Sequence, residues 1–338
     1  MKALLLNSPG DFSVVERPDP TPSGDTAIIR VHRSGICATD IATIEGHSTV
    51  AVYPITPGHE FVGTVEFAPP NSGYQSGDWV TMYPTQGCGK CAFCVSGTPN
   101  YCRDFRVFGV HRDGGSFAER IAVPVNQLIR VPRRLRDETG ALIEPLAVGV
   151  HANRRADPRP GQRIAIIGAG TVGTMVAQVA RARGLTDIVL ADRLESRRSL
   201  CKDLGFSQFV HSDGAELAED LKRFGRRDIT FDTACTRETL NAAVETLTPG
   251  GKLVLLGFPH DTGDIPLAYV RAYKWELSVL LSRNYAPVDF ADSITLLEAG
   301  HINASRMITG TWPLKDFATA YTELKARPGK HVKVLIAP

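Results

Sequence analysis

Four cysteines crowd into fifteen residues of the chain, Cys88, Cys91, Cys94 and Cys102, in the order C-x2-C-x2-C-x7-C within GCGKCAFCVSGTPNYC. Four soft thiolates at such spacing can close a tetrahedron around zinc and leave no place for water, which is the chemistry of a structural metal. Exposed free thiols at this density would otherwise be an oxidation liability. A second set is looser. Cys37 in GICATD precedes the run Gly58-His59-Glu60 by 22 residues, measured from Cys37 to His59. A His-Glu pair alone carries no specificity. With Cys37 it offers one thiolate, one imidazole and one carboxylate, the mixed set of a catalytic zinc whose fourth position stays open.

A third pattern concerns a nucleotide. Gly168-x-Gly170-x-x-Gly173 follows the apolar run RIAIIG, opens a helical stretch, and is followed by Asp192, 19 positions after Gly173, at the end of IVLAD. Strand, glycine turn, helix and distant acid together make the context that a dinucleotide site requires. The glycines let the backbone approach a pyrophosphate, whose charge then sits at a helix N-terminus. Asp192 can accept hydrogen bonds from both ribose hydroxyls and would repel a 2′-phosphate, favouring NAD over NADP. Arg193, Arg197 and Arg198 pull the other way. Glu144, embedded in the apolar run ALIEPLAVGVHA, is a fourth candidate, because a buried carboxylate is costly unless it is paired or metal-associated.

Two kinds of texture must position these groups. Up to about residue 130 the chain alternates short β-branched or aliphatic runs with Gly, Pro and Asp (TAIIRVHRSG, EFVGTVEFAP, GDWVTMYP, FAERIAVP), which predicts an antiparallel β-rich domain. From about 161 it alternates apolar strands with amphipathic helices: RIAIIGAG, TVGTMVAQVARARG, DIVLAD, SRRSLCKDLG, then DITFDTA, RETLNAAVETL, PGGKLVLLG and WELSVLLSR. Such alternation predicts a doubly wound parallel sheet, an α/β fold class. The stretch ADSITLLEAGHI then reads as a helix, and HVKVLIAP as a closing strand able to return to the first domain. The expected domains are 1–150 with 286–338, and 151–285.

The 338 residues carry 38 Lys+Arg against 36 Asp+Glu, a net charge of +2, with 43% hydrophobic and 22% charged residues. That is an ordinary globular composition, long enough for two cores. No basic field offers itself to nucleic acid or an anionic membrane. The four-cysteine segment itself has only Lys90, Arg103 and Arg106, with no His pair and no basic helix, so it is not a nucleic-acid zinc module. No run of about 18 apolar residues occurs, and the opening MKALLLNSPGDF falls short of a secretory signal core. Seven cysteines, an odd number, suit metal ligands in a reducing compartment better than a disulfide framework. A cytoplasmic location is expected.

In this order, Cys37, Gly58-His59-Glu60, the four-cysteine loop, Glu144-Pro145, the dinucleotide glycines and Asp192, the chain resembles the zinc-dependent medium-chain dehydrogenase/reductase family over essentially its full length. Glu-Pro-Leu at 144–146, followed by Val-Gly-Val-His, is similar to the polyol branch that includes sorbitol and threonine dehydrogenases. The resemblance implies a GroES-like catalytic domain and a Rossmann domain. It also implies one catalytic zinc on Cys37, His59 and Glu60, with Glu144 near the metal, and one structural zinc on the four cysteines. Thr39 matches the family's proton-relaying hydroxyl, and Val172, Asp192 and Arg197 match cofactor-contacting positions.

Two further stretches, GVHRDGGSFAER at 109–120 and SRNYAPVDF at 282–290, resemble bacterial sugar-acid dehydrogenases of the galactonate type. Within them His111, Arg283 and Asn284 are donors for a hydroxyl-rich or carboxylate substrate, Arg being suited to a bidentate grip. The expectation is therefore hydride transfer from a secondary alcohol of a sugar acid or polyol to NAD. A threonine-like amino-alcohol is the alternative substrate, and a non-catalytic binding relative the alternative class. The strand candidates KLVLLG and WELSVLLS could form a sheet edge that pairs two copies, as the family resemblance implies for a homodimer or homotetramer.

Overall fold

The computed structural model describes residues 1–111, 114–212, 214, 216–257 and 267–338. The chain forms two compact units: Met1–Glu144 with Ala286–Ile294 and Ile308–Pro338, and Pro145–Tyr285 with Thr295–Met307.

The first unit is built on a seven-stranded sheet. Its strands run in the order Ile308–Pro313, Lys333–Ala337, Thr26–Gly35, Glu60–Phe67, Trp79–Met82 and Leu128–Arg130, with Arg120–Pro124 paired alongside Thr26–Gly35. The pairings are antiparallel, as the alternating sequence texture predicts, except that Ile308–Pro313 and Lys333–Ala337 run parallel. The HVKVLIAP segment does return to this unit, where Leu335 faces Gly35 in register. Inward side chains including Ile29, Val31, Phe61, Val65 and Val80 make one buried core, each such burial stabilising by roughly 1.5–3 kcal/mol. Leu4, Leu6, Ile44, Phe117 and Phe317 make a second.

The second unit is a six-stranded parallel sheet, ordered Gln208–His211, Asp187–Asp192, Arg163–Ile167, Arg227–Asp232, Leu247–Leu255, Ser278–Leu281. The central strands carry buried apolar residues such as Ile164, Ile166, Ile229 and Phe231, as befits a parallel sheet covered by helices on both faces. Thr171–Ala182 is one such helix, with Met175, Val176, Ala177, Val179 and Ala180 buried. WELSVLLSR supplies the strand at the sheet's edge, whereas KLVLLG lies inside it, paired on both sides.

Candidate metal centres and dinucleotide turn

The register of the first sheet explains why Cys37 and His59 meet. Gly35 and Glu60 are partners on adjacent antiparallel strands, so the residues just beyond Gly35 and just before Glu60 emerge at the same end. Cys37 there becomes the N-cap of the short helix Ala38–Ile44. Donor atoms of Cys37, His59 and Glu60 all lie within 4.8 Å of one another. His59 and Glu60 are buried, at 6% and 1% exposure.

Asp40 ties these segments together, a role the sequence reading missed. Its Oδ2 accepts the Cys37 backbone N–H at 2.8 Å, and its Oδ1 accepts that of Gly58 at 3.2 Å. The same Oδ1 lies 3.6 Å from His59 Nδ1, slightly beyond hydrogen-bond length. Burial disfavours a charged His59 ring, but Asp40 and then Cys37 more than offset it and hold the pKa well above the usual imidazole range. A ring steadied on one nitrogen by a carboxylate is the usual support of a metal-ligating histidine. Asp40's position, three residues after an N-cap, was the available signal.

Lys333, likewise missed, enters from the other side of the central strand. Its Nζ donates to both Glu60 oxygens, at 2.8 and 2.6 Å, and to the Ile36 carbonyl at 3.0 Å. Burial works against its charge, yet Glu60, then Cys37 and Glu144, raise its pKa. Glu144 is 5% exposed, in the first turn of the helix Ile143–Ala156. Thr39 Oγ1 accepts from Cys37 Sγ at 3.6 Å, which places the expected relay hydroxyl beside the expected ligand.

The sulfurs of Cys88, Cys91, Cys94 and Cys102 also lie within 4.8 Å of one another, and all are free thiols. A tetrahedral zinc with bonds near 2.3 Å would set them about 3.8 Å apart, so the donor set fits that ion. Cys91 and Cys94 sulfurs are already 3.5 Å apart, and the Cys88 backbone N–H donates to Cys102 Sγ at 3.3 Å. Backbone N–H groups of Lys90 and Cys91 hold the Cys88 thiol down to about 6. Burial, with the neighbouring thiols, pushes Cys94 up to about 12. Gly87 is required here: a Cβ would sit 2.4 Å from Cys94 Sγ.

In the second unit the glycine turn is shaped by contact. A Cβ on Gly173 would lie 1.7 Å from the Gly168 carbonyl oxygen, and Gly168 itself takes a left-handed φ of 95°. A Cβ on Gly170 would meet nothing within 4 Å, so the helix N-terminus it caps is open to a ligand. Val172 lies in the first turn of that helix. Asp192 accepts the Ala169 N–H at 2.7 Å and the Leu194 N–H at 2.9 Å, fixing the acid at the strand end. Arg197 is buried, at 8% exposure; burial lowers its pKa and Asp192 partly offsets that.

The three donors expected to meet substrate are less clearly dedicated. His111 Nδ1 accepts the Val107 N–H at 3.1 Å and its ring packs on Phe105, a turn contact. Arg112 and Asp113 of the same segment lie outside the described residues. Arg283 and Asn284 follow the edge strand of the second unit, where Asn284 takes a left-handed φ of 55°.

A zinc-type cluster with a closed four-thiol lobe, together with a Rossmann glycine turn, defines a class, a metal-dependent dehydrogenase. Residues 23–133 match the alcohol dehydrogenase GroES-like domain and residues 171–299 the zinc-binding dehydrogenase domain. The chain is 31% identical to a sorbitol dehydrogenase of Halalkalibacterium halodurans, over 100% of this chain and 99% of that one. It is 30% identical to an L-galactonate-5-dehydrogenase of Escherichia coli, over 95% and 94%. A crystal structure of a zinc-binding dehydrogenase from Sinorhizobium meliloti, bound to NADP, superposes with a TM-score of 0.92 at 31% identity, covering 100% and 99% of the two chains. The chain belongs to the zinc-dependent medium-chain alcohol dehydrogenase family, and it is a zinc-dependent, NAD(P)-linked alcohol/polyol dehydrogenase.

Proposed function

We propose that the protein oxidises a secondary alcohol of a sugar acid or polyol, of the galactonate type, to a ketone, with NAD preferred to NADP. The observation that carries the reading is the convergence of Cys37, His59 and Glu60 donors within 4.8 Å beside the Thr39 hydroxyl. Cys37 and His59, with Glu60 and Glu144 alongside, would hold the catalytic zinc, and the four cysteines the structural one. When bound, zinc supplies Lewis acidity that lowers the substrate hydroxyl's pKa, and the dinucleotide accepts the hydride.

The chain's own residues do the rest. Asp40 holds the Cys37 and Gly58 backbones so that both ligands are aimed before any metal arrives. Thr39, beside Cys37, takes the substrate's proton and passes it outward. Gly170 and the first turn of Thr171–Ala182 receive the pyrophosphate, and Asp192, fixed by two backbone donors, receives the ribose hydroxyls. The NADP bound by the Sinorhizobium meliloti relative makes the coenzyme choice a matter for measurement.

A cytoplasmic setting suits the free cysteines, and no helix among the described residues is long and apolar enough to cross a membrane. The edge strand Ser278–Leu281, with Tyr269, Tyr273 and Leu281 exposed nearby, suits pairing with a second copy. Light scattering that finds only monomers would remove that part of the reading. The deciding assay is dinucleotide reduction with NAD and with NADP against hexonates, polyols and threonine, before and after zinc chelation. Turnover of a hexonate or polyol with NAD, lost on chelation, is the expected result. Turnover of threonine alone would discard the sugar-acid assignment.

A further inference from the structure

Glu60 has two claims on it. Its carboxylate lies within 4.8 Å of the Cys37 and His59 donors, close enough to serve the same metal. Yet both of its oxygens already accept from Lys333 Nζ, at 2.8 and 2.6 Å. Lys333 and Glu60 are each nearly inaccessible, at 3% and 1% exposure, so water competes little for either. The backbone leaves room for this placement: a Cβ on Gly35 would come 2.1 Å from Glu60 Oε2. Gly35 thus leaves the hollow in which the carboxylate rests against the lysine. Strand register makes this arrangement stiff, because Leu335 pairs with Gly35, and Gly35 pairs with Glu60 on its other side.

A carboxylate with both oxygens bonded to an ammonium is a poorer metal ligand than a free one, since the ammonium takes up one lone pair on each oxygen, draws off negative charge and holds both oxygens in place. We propose that Lys333 is a positioning residue of the catalytic metal site, competing with the metal for Glu60 and so keeping that carboxylate a weak, exchangeable ligand. The proposal rests on the reading that Cys37 and His59 hold zinc. A purely structural ion pair, pinning the last strand to the sheet, would instead affect melting temperature and leave metal release untouched.

The test is the rate at which zinc-loaded protein gives up its catalytic zinc to a chromogenic chelator, with the Cys37→Ser chain reporting the four-cysteine lobe alone. Lys333→Met is expected to slow that release by roughly tenfold, the scale on which outer partners tune metal sites. Gly35→Ala, which displaces the carboxylate while leaving the lysine charged, should slow it in the same direction. In a Glu60→Gln background the lysine substitution should have no such effect, and the double variant, lacking both buried charges, guards against misfolding of the single one. Release that is unchanged or faster in Lys333→Met and Gly35→Ala overturns the proposal, as does slowing that persists with Gln at position 60. A Cys37→Ser chain that still binds both zincs would overturn the metal-site reading itself, and the proposal with it.

Discussion

The two metal-type clusters share a compact unit and little else. The four-cysteine lobe takes all its donors from residues 88–102, on short turns, with Cys88, Cys91 and Cys94 partly accessible. The Cys37 cluster has a partly accessible thiol but a buried imidazole and carboxylate, and it is assembled from distant segments, with Lys333 reaching Glu60 across 273 positions of sequence. One has four identical ligands and no surplus. The other has a thiolate, an imidazole and one carboxylate, with a supporting aspartate and a buried ammonium. Identical thiolates in a closed set suit a site whose only work is to hold chain together. Mixed donors with compensating charges suit a site in which one place must change occupant.

Breaking the mixed site should abolish chemistry without unfolding the protein. Cys37→Ser or His59→Ala should reduce turnover by about a thousandfold or more, as the loss of several kcal/mol of Lewis-acid stabilisation requires. Dinucleotide binding, read by fluorescence, should persist, since Gly168, Gly170 and Asp192 are shaped by their own neighbours. A variant with near-full turnover would remove Cys37 and His59 from the mechanism. Cys94→Ser should act in the opposite way, costing one zinc per chain and lowering the unfolding temperature, while correctly folded molecules keep the activity per catalytic zinc. Equal melting curves for this variant and the parent would deny the lobe its structural role.

A smaller effect separates ligand from support. Asp40→Asn keeps the size but has a single acceptor oxygen for the Cys37 and Gly58 backbone N–H groups that Oδ2 and Oδ1 now serve, and it loses the charge beside His59. Metal affinity or turnover should drop between about tenfold and a hundredfold, as for other outer partners of metal-bound histidines. Zinc titration by competition with a chelator checks the first, and an unchanged affinity with unchanged turnover would show that neither the charge nor the second backbone contact of Asp40 supports the metal site.

Local features were legible in the sequence, and long-range ones were not. The thiol spacing, the glycine turn and the texture of both sheets each depend on residues close in the chain, and the structure forms the strands and helices that those patterns predict. Glu144 was visible as an acid in an apolar run. Lys333 was equally visible, as the one charge among the apolar residues of its strand, but a lone lysine at a strand's start reads as a solvated edge. Only the pairing of Leu335 with Gly35 turns it inward. The parallel pairing of Ile308–Pro313 with Lys333–Ala337 was hidden for the same reason, since strand neighbours far apart in sequence leave no periodic trace.

The finest distinction between the two clusters lies inside the closed one. Four thiols that look equivalent in sequence are not equivalent in the fold: backbone N–H donors stabilise the Cys88 thiolate, with a pKa near 6, while burial among other thiols pushes Cys94 to about 12. At neutral pH in metal-stripped protein the thiolate is therefore favoured at Cys88 and the thiol at Cys94. Because the thiolate is the nucleophile, iodoacetamide at pH 7 should label Cys88 well before Cys94, as peptide mass mapping would show. The lowered pKa of Cys88 also fixes a sign. Its contribution to stability is fully present above the ordinary thiol range and is lost as pH falls through about 6. Zinc binding at the lobe should weaken in the same direction, since protons compete for every thiolate. Uniform labelling of the four cysteines would mean that the lobe's ordered turns form only around the metal, and the contrast with the pre-aimed Cys37 site would then be sharper still.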